Sequence, residues 1–299
     1  MTPTDPAEAL RLQDAFGRVE DAFNHELDKS LAPRGPRFLY DLVAELNFGA
    51  NSLAVDVGSG EGQHAIELAK RFGLQVVGIE PLDRHIEIAR RAAKAEVSVA
   101  GRVRFRRGAA ERIPLEDACA DLVWCRDVLS LVVDVRAVFE ETRRILKPGG
   151  YAVVYSMCVT EELGERDAAF LLPSLACVRE SMQPAVIEAA IEAAGLSVVA
   201  TQVLGSEWGE YGQEQSGRGA SKLIRAARLL RDPGRYIAQF GDDNYKIALA
   251  DNLWHVYRLI GKLSDRVYVL SNPGVTAKRH ARAARNAAEP KGKDDAGIG

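Results

Sequence analysis

LAVDVGSGEGQHA, residues 53–65, decides the fold of this chain. Four apolar residues, interrupted by Asp56, form a run typical of a buried strand. Three glycines then follow at positions 58, 60 and 62, and a helix-like pattern begins directly after them. Because glycine has no Cβ atom, such a turn can bring its backbone N–H groups close to a ligand. The stretch therefore predicts a strand–turn–helix unit that holds a polar or anionic group.

The segments around this turn alternate β-rich runs with helical periodicity between residues 51 and 160. Strands separated by helices predict a parallel sheet covered on both faces, with ligands bound at the carboxyl ends of the strands. A further strand precedes a long helical stretch, and a last apolar run lies at residues 266–271. We therefore expect a helical insertion between the two terminal strands.

These patterns divide the chain into five expected parts. Residues 1–50 form an N-terminal helical cap, and residues 51–204 form the α/β core that binds the cofactor. Residues 205–263 form a helical lid, and residues 264–274 return as the final strand of the core sheet. Residues 275–299 are rich in Lys, Arg, Ala and Gly with almost no large apolar residue, so we expect a disordered basic tail.

Composition narrows the classes of protein further. The chain of 299 residues is 47% hydrophobic, long enough for one large core, and it has no run that could cross a membrane. The N-terminus lacks the basic and then apolar order of a signal peptide, so we expect a cytoplasmic location. The four cysteines show no C-x-x-C spacing, so we expect reduced thiols and no metal site. A net charge of -3 disfavours a nucleic-acid partner and leaves a homodimer open.

The spacing of the glycines separates two classes of cofactor. A dinucleotide-binding turn, G-x-G-x-x-G, needs glycine at the position of Gln63, and this chain instead has G-x-G-x-G. With Asp56 before it, this spacing resembles the first motif of class I S-adenosylmethionine-dependent methyltransferases. The stretches GAAERIPLED (108–117), ADLVWCRDVLSLVVD (120–134) and RRILKPGGYAVVYS (143–156) resemble that family's later motifs in the same order.

The resemblance implies a Rossmann-like, doubly wound α/β fold. Its seven-stranded sheet would have an antiparallel last strand, with N-terminal helices and a helical lid inserted before that strand. Glu80 would hold the ribose hydroxyls of S-adenosylmethionine, because two carboxylate oxygens suit a vicinal diol. Many relatives carry Asp where this chain has Ala109, so the adenine contact is less well defined. The implied cofactor-binding residues are Asp56, Gly58, Ser59, Gly60, Gly62, Glu80, Pro81, Ala110, Glu111, Cys125 and Arg126.

The candidate catalytic residues are Asp127, His255 and Tyr211. Asp127 follows the fourth strand at the ligand edge, although it could instead form a surface pair with Arg126. His255 is a candidate base in the lid or a packed histidine. Trp208 and Tyr211, together with Asp127, are the candidate substrate-binding residues; the aromatic pair could equally be lid core.

A second set of alternatives concerns the basic residues of the lid and the function of the whole chain. Lys222, Arg225, Arg228 and Arg231 recur every three residues, which favours a solvated helix face and leaves an anion site open.

We expect a methyltransferase that acts on a small, partly apolar metabolite by direct displacement, mainly through positioning. The alternatives are an NAD(P)-binding oxidoreductase on a related fold and a cofactor-binding fold member that acts through a partner.

Overall fold

The computed structural model describes residues 5–50 and 52–273. The expected basic tail at residues 275–299 lies outside the described residues. A central sheet is covered by helices on both faces, and its seven strands are β1 (Leu53–Val57), β2 (Gln75–Glu80), β3 (Val103–Arg107), β4 (Ala120–Arg126), β5 (Leu146–Val159), β6 (Ser197–Gly205) and β7 (Leu263–Ser271).

The order of the strands is β3-β2-β1-β4-β5-β7-β6. Strands β1 to β5 pair in parallel, and β7 runs antiparallel to both β5 and β6. The predicted seven-stranded sheet with an antiparallel last strand is therefore confirmed. Strand order reverses between β1 and β4, so the carboxyl ends of these two strands flank the crevice where such sheets bind ligands.

Eleven helices lie in the described part of the chain. Helices α8 to α11 fall between β6 and β7, where the helical periodicity predicts an insertion. Of these four, α9 and α11 were predicted individually, whereas α8 and α10 were not, and neither was α6. Pro173 lies inside α6, and α10 is only one short stretch between two longer helices. The helices are α1 (Pro6–Leu27), α2 (Arg37–Glu45), α3 (Gln63–Phe72), α4 (Asp83–Ala95), α5 (Val135–Ile145), α6 (Glu165–Ser174), α7 (Pro184–Ala194), α8 (Glu207–Ser216), α9 (Arg218–Arg231), α10 (Pro233–Phe240) and α11 (Asp242–Leu259).

The core lies on both faces of the sheet. In β4, Val123 and Cys125 pack into one buried cluster, and Leu122 and Trp124 pack into the other. Successive side chains of a strand point to opposite faces, so a strand covered on both sides reads as a continuous apolar run. Helices α8 to α11, between β6 and β7, are called the lid below. A third cluster joins this lid to the sheet through Ala250 of α11. The lid is thus anchored beside the carboxyl ends of the strands.

The three glycines of the turn have different physical reasons to be glycine. All three have positive φ, at +68° for Gly58, +51° for Gly60 and +85° for Gly62. A Cβ at Gly58 would lie 2.3 Å from Val128 Cγ2, and one at Gly62 would lie 2.6 Å from Phe105 Cζ. A Cβ at Gly60 would meet no protein atom within 4 Å. Packing therefore requires two of the glycines, and Gly60 alone faces open space.

We expect Gly62→Ala to destabilise the fold by about 2–4 kcal/mol, because it adds a steric clash to a left-handed backbone. Gly60→Ala is the matched control and carries only the backbone penalty, about 1–2 kcal/mol. Urea unfolding followed by circular dichroism measures both free energies. Equal destabilisation by the two substitutions would contradict this difference.

Candidate active site

The carboxylate of Glu80 joins three parts of the predicted cofactor site. Its Oε2 accepts a hydrogen bond from the Gly60 N–H at 3.0 Å, and its Oε1 accepts one from the Leu82 N–H at 3.1 Å. His85 Nδ1 lies 3.3 Å from the same Oε1. The Glu80 side chain is only 7% exposed, so this carboxylate is fixed where β2 ends and α4 begins. It holds the glycine turn against the neighbouring strand.

Asp56 is buried beneath the same turn. Burial is the main cause that raises the pKa of its carboxyl to about 8, and the nearby Glu80 raises it further. A hydrogen bond from the Ala65 backbone and the charge of Arg126 oppose that shift. Its Oδ2 atom has no hydrogen-bond partner within the described residues. With a pKa near 8 the carboxyl is protonated at neutral pH, so Asp56 Oδ2 is a buried oxygen beside the turn that a ligand's hydrogen-bonding group could satisfy.

The remaining predicted cofactor residues lie along the same edge of the sheet. Ser59 is buried, and its Oγ has no hydrogen-bond partner in the described part of the chain. Pro81 is exposed directly after β2, Ala110 is buried, and Glu111 is half-buried. Cys125 lies at the end of β4, and burial is the main cause that raises the pKa of its thiol to about 12. The edge thus presents buried oxygen atoms, and the Cys125 thiol beside them is not a reactive thiolate.

This edge fits the cofactor that the sequence predicts. Two buried oxygens, Asp56 Oδ2 and Ser59 Oγ, have acceptor capacity that no described protein group uses. The space in front of Gly60 is free of protein atoms, so a ligand can approach the backbone there. An amino acid ammonium and ribose hydroxyls are donors of the kind these acceptors require.

A cavity of about 560 Å³ opens beside this edge, under the lid. It brings together all three predicted catalytic residues, which the sequence places far apart. Asp127 directly follows β4, Tyr211 lies in α8 and His255 lies in α11. The other lining side chains that matter for its chemistry are Arg126, Ser130, Leu131, Tyr155, Met157, Leu175, Cys177, Trp208, Arg218, Asp251, Trp254 and Arg258.

Asp127 adopts a left-handed conformation, with φ at +59°. Its N–H donates to the Tyr155 carbonyl at 3.2 Å, which extends the β4–β5 pairing by one residue. The carboxylate faces the cavity, and Arg126 Nε lies 3.4 Å from its Oδ2. The Asp127 side chain is 53% exposed to the open cavity, and partial burial by the surrounding protein raises its pKa against the opposing charges of Arg126 and Arg258. Asp127 therefore pairs with Arg126 and also lines the cavity, and its catalytic role stays a prediction.

The lid residues occupy defined positions on the cavity wall. Burial first, and then the charges of Lys222, Arg218 and Arg258, lower the pKa of His255 to about 4. This imidazole is neutral at pH 7 and is a weak base. The Tyr211 ring packs on Gly35, where a Cβ would lie 2.7 Å from the ring, so a glycine in the α1–α2 link is required.

The sequence did not predict a chain of hydrogen bonds behind the glycine turn, which joins Arg126, His64 and Tyr40. Arg126 Nη1 lies 2.5 Å from His64 Nε2, and His64 Nδ1 lies 2.6 Å from Tyr40 Oη. A guanidinium only donates hydrogen bonds, so Nε2 accepts and Nδ1 carries the proton that goes to Tyr40. Burial and then the charge of Arg126 lower the pKa of His64 to about 4, which agrees with a neutral ring. His64 follows the glycines by two residues, and that position was the available signal.

A second group that the sequence did not predict lies at the base of the lid. Asp265 of β7 is fully buried and accepts hydrogen bonds from Tyr155 Oη, at 2.7 Å, and from Arg258 Nη2. The guanidinium groups of Arg126 and Arg258 lie 5.1 and 5.2 Å from the centre of the Trp208 ring. Trp208 is buried in the cavity wall, and Tyr155 meets it edge to face. The predicted substrate residue Trp208 therefore belongs to an aromatic section of the wall that two guanidinium groups flank.

Metal-binding groups and membrane-spanning helices are both absent from the described residues. Among residues 5–50 and 52–273, no group of three or more His, Cys, Asp or Glu side chains could hold a metal ion. In the same ranges no helix has both the length and the apolar character needed to cross a membrane.

Residues 55–154 match the family model described as a methyltransferase domain. Among curated proteins, 27-O-demethylrifamycin SV methyltransferase of Amycolatopsis mediterranei is 30% identical over 160 residues, which are 50% of this chain and 58% of that protein. The chain spans about half the length of the curated relatives it matches first.

Solved structures share the fold. The [4+2]-cyclase SpnF matches with a TM-score of 0.61 and 21% identity, over 79% of this chain and 80% of that chain. Geranyl diphosphate C-methyltransferase from Streptomyces coelicolor, solved with Mg²⁺, geranyl diphosphate and S-adenosyl-L-homocysteine, has a TM-score of 0.58 and 17% identity, over 90% of this chain and 85% of that chain. At these identities the likeness shows the fold alone.

The match confirms the predicted methyltransferase domain over residues 55–154. The NAD(P) oxidoreductase alternative is not favoured. The roles of the individual site residues stay predictions.

The raised pKa of Asp56 predicts a pH dependence of stability. The unfolded carboxyl ionises near 3.8, whereas the folded one keeps its proton to about pH 8. Between these values the folded chain binds more protons, so stability falls as pH rises, by up to about 1.4 kcal/mol per unit. The free energy of unfolding of Asp56→Asn should lack this slope, and Glu192→Gln, an exposed change, should keep it. Parallel slopes in wild type and Asp56→Asn would refute the assignment.

Proposed function

We propose that this chain, whose residues 55–154 form a class I methyltransferase domain, is an S-adenosylmethionine-dependent methyltransferase acting on a small, partly apolar metabolite. One observation carries the proposal: the glycine turn and the lid cavity adjoin each other. Val128 packs on Gly58, and its neighbour Asp127 lines the cavity. Arg126 likewise lines the cavity while it contacts His64 behind the turn. A cofactor on the turn would therefore face a substrate in the cavity.

Each predicted cofactor residue has a proposed part in binding. The carboxylate of Glu80 would accept hydrogen bonds from the ribose hydroxyls, because it has more acceptor sites than its protein donors use. Gly58, Ser59, Gly60 and Gly62 would form the backbone cradle, and Asp56 would face the amino acid end. Pro81, Ala110 and Glu111 would border the adenine, and Cys125 and Arg126 would close the side next to the cavity.

When bound, S-adenosylmethionine supplies a methyl group activated by its sulfonium. The protein then has to position the acceptor atom, exclude water and take any proton that the acceptor loses. Trp208, Tyr211 and the apolar wall under the lid would position the substrate. Where the acceptor atom carries a proton, that proton would pass to a side chain of the cavity wall.

Asp127 is the best candidate for the group that takes this proton. Burial raises the pKa of its carboxyl towards the working pH, which favours general base catalysis. Its left-handed backbone is a conformation that non-glycine residues adopt mainly where surrounding structure enforces it, often at functional sites. His255, with its pKa near 4, is better suited to accept a hydrogen bond from the substrate. Tyr211 would contact the substrate from the opposite helix.

Small organic molecules are the substrate class that the relatives' names support. One relative methylates a rifamycin by its name, and another is a sterol 24-C-methyltransferase at 27% identity. Because the [4+2]-cyclase SpnF shares the fold, fold membership alone does not define the reaction.

We expect Asp127→Asn to lower kcat by about 100-fold or more, because the amide cannot accept the substrate's proton. Its affinity for S-adenosylhomocysteine should stay within about twofold of wild type, since Asp127 lies on the cavity side. His255→Gln should change KM more than kcat. Release of S-adenosylhomocysteine over a panel of phenols, alcohols, amines and carbon acids measures the turnover. No product from any of these acceptor classes, with tight cofactor binding, would instead favour the non-catalytic alternative.

We further propose that the chain forms a homodimer through α1 and α9. Helix α1 exposes Leu12, Phe16 and Phe23 at helical spacing, and α9 exposes Leu223 and Leu230. The solvated face expected on α9 is not observed at Lys222, whose side chain is 12% exposed and pairs with Asp251. Helix α1 carries five carboxylates in its sequence, and α9 carries five cations and no carboxylate. Opposite charge and exposed apolar side chains support packing of α1 from one copy on α9 of another.

Light scattering of the full chain and of the Leu223→Glu, Leu230→Glu variant tests this dimer. We expect a dimer for wild type and a monomer for the variant. A monomeric wild type at about 100 μM would refute the interface, because a stable dimer has a far lower Kd.

The cysteines and the net charge support two further proposals, on the cellular compartment and on nucleic-acid partners. All four cysteines lie in the described residues and none is in a disulfide, which supports a reducing, cytoplasmic location. We propose no nucleic-acid partner, in line with the net charge of -3.

A further inference from the structure

The wall of the lid cavity carries hydrogen-bond donors that no described protein group satisfies. Trp208 Nε1, Arg258 Nε and Arg126 Nε are buried and have no hydrogen-bond partner among the described residues. Arg126 Nε has only the ion-pair contact to Asp127 at 3.4 Å. A buried donor without an acceptor costs about 1–3 kcal/mol. Three such donors around one indole ring therefore mark a place where a ligand is expected to supply acceptors.

These donors belong to groups that can only donate. Guanidinium and indole N–H groups have no acceptor atom, so an oxygen-rich group satisfies them and a second donor does not. Both guanidinium groups lie about 5 Å from the Trp208 ring, which brings two positive charges to one section of the wall. A group with several acceptor oxygens and a negative charge fits this section best.

The charged side chains around the cavity still favour an anion after the ion pairs among them are taken into account. Asp265 pairs with Arg258, Asp251 pairs with Lys222, and Asp127 pairs with Arg126. Arg218, the fourth cation, lies at the exposed side of the cavity, and its Nη2 lies 3.5 Å from His255 Nε2. After burial, the same cations Lys222, Arg218 and Arg258 lower the pKa of His255, whereas Asp251 opposes them.

We propose that the substrate carries an anionic group, a carboxylate or a phosphate, which binds to Arg258, Arg126 and Trp208 Nε1. Arg218 stands at the cavity entrance and attracts the anion. The apolar body of the substrate packs against Leu131, Met157, Leu175 and Trp254, which line the same cavity. This substrate class rests on the proposed function, since it assumes that the cavity holds the methyl acceptor.

Anchoring at this place also explains how a small substrate is oriented. The anchor section lies next to Asp127 through the Arg126 contact, so an acceptor atom beyond the anionic group can reach that carboxylate. Binding energy at a non-reacting group then orients the reacting one, which is how positioning contributes to methyl transfer.

Calorimetry on the protein saturated with S-adenosylhomocysteine tests the anchor with matched probes. 3-Phenylpropionate is compared with 3-phenylpropionamide, and phenyl phosphate is compared with phenol, which separates the two sources of anion. We expect at least one anion to bind about tenfold or more tightly than its neutral partner, with a difference that shrinks in high salt. Equal binding of both members of both pairs would overturn the proposal.

Variants locate the anchor. The double variant Arg258→Met, Asp265→Asn removes both charges of the buried pair, so that no unpaired charge remains in the core. It should lose the preference for the anion, whereas Arg231→Gln, outside the cavity lining, should keep it. A folded double variant that keeps the full preference would overturn the site. Should it fail to fold, Arg218→Gln should weaken anion binding by about threefold to tenfold, and unchanged binding would count against the site.

The two proposals fail in distinguishable ways. Absence of S-adenosylhomocysteine binding contradicts the methyltransferase proposal, and the probe pairs can still be compared on the unloaded protein. Tight binding of S-adenosylhomocysteine without any preference for anions contradicts only the anchor.

Discussion

The contact on which the site depends is the hydrogen bond from the Gly60 N–H to the Glu80 carboxylate. It fixes a left-handed glycine turn, open to solvent above Gly60, against the end of the neighbouring strand. The same carboxylate accepts the Leu82 N–H and so orients the start of α4. Because Gly58 and Gly62 are packed by Val128 and Phe105, the turn has little freedom to move. A rigid backbone cradle of this kind binds a ligand without a large cost of ordering.

Most charged side chains under the lid form ion pairs with one another. Asp265 is held by Arg258 and Tyr155, and Asp127 is held by Arg126. Burial of such pairs contributes little to stability, because desolvation offsets much of the attraction. Their value lies in holding charged groups at a defined place in the cavity wall. The donors on Trp208 and Arg258 that no described group satisfies are the observation behind the proposed anion anchor.

Local patterns predicted the sheet well. The run before Gly58 and the apolar strand before Arg126 have the length and continuity of buried parallel strands, and the glycine spacing separates two cofactor classes. The lid pairings could not be predicted in this way. Asp265 interrupts an apolar strand, and its partners Tyr155 and Arg258 reach it only through tertiary packing. Helix periodicity likewise placed charged and apolar sides on α9 but did not show which side faces solvent, because that depends on α11.

Calorimetric titration with S-adenosylhomocysteine and with NAD⁺ tests the central claim most directly. We expect one molecule of S-adenosylhomocysteine to bind per chain with a Kd of about 1–100 μM, and no detectable binding of NAD⁺. Replacing Glu80 by Ala should weaken the nucleoside's binding by about tenfold or more, because the ribose loses a charged acceptor. Tight binding of NAD⁺, or a Glu80→Ala variant with unchanged affinity for S-adenosylhomocysteine, would contradict the proposed cofactor site.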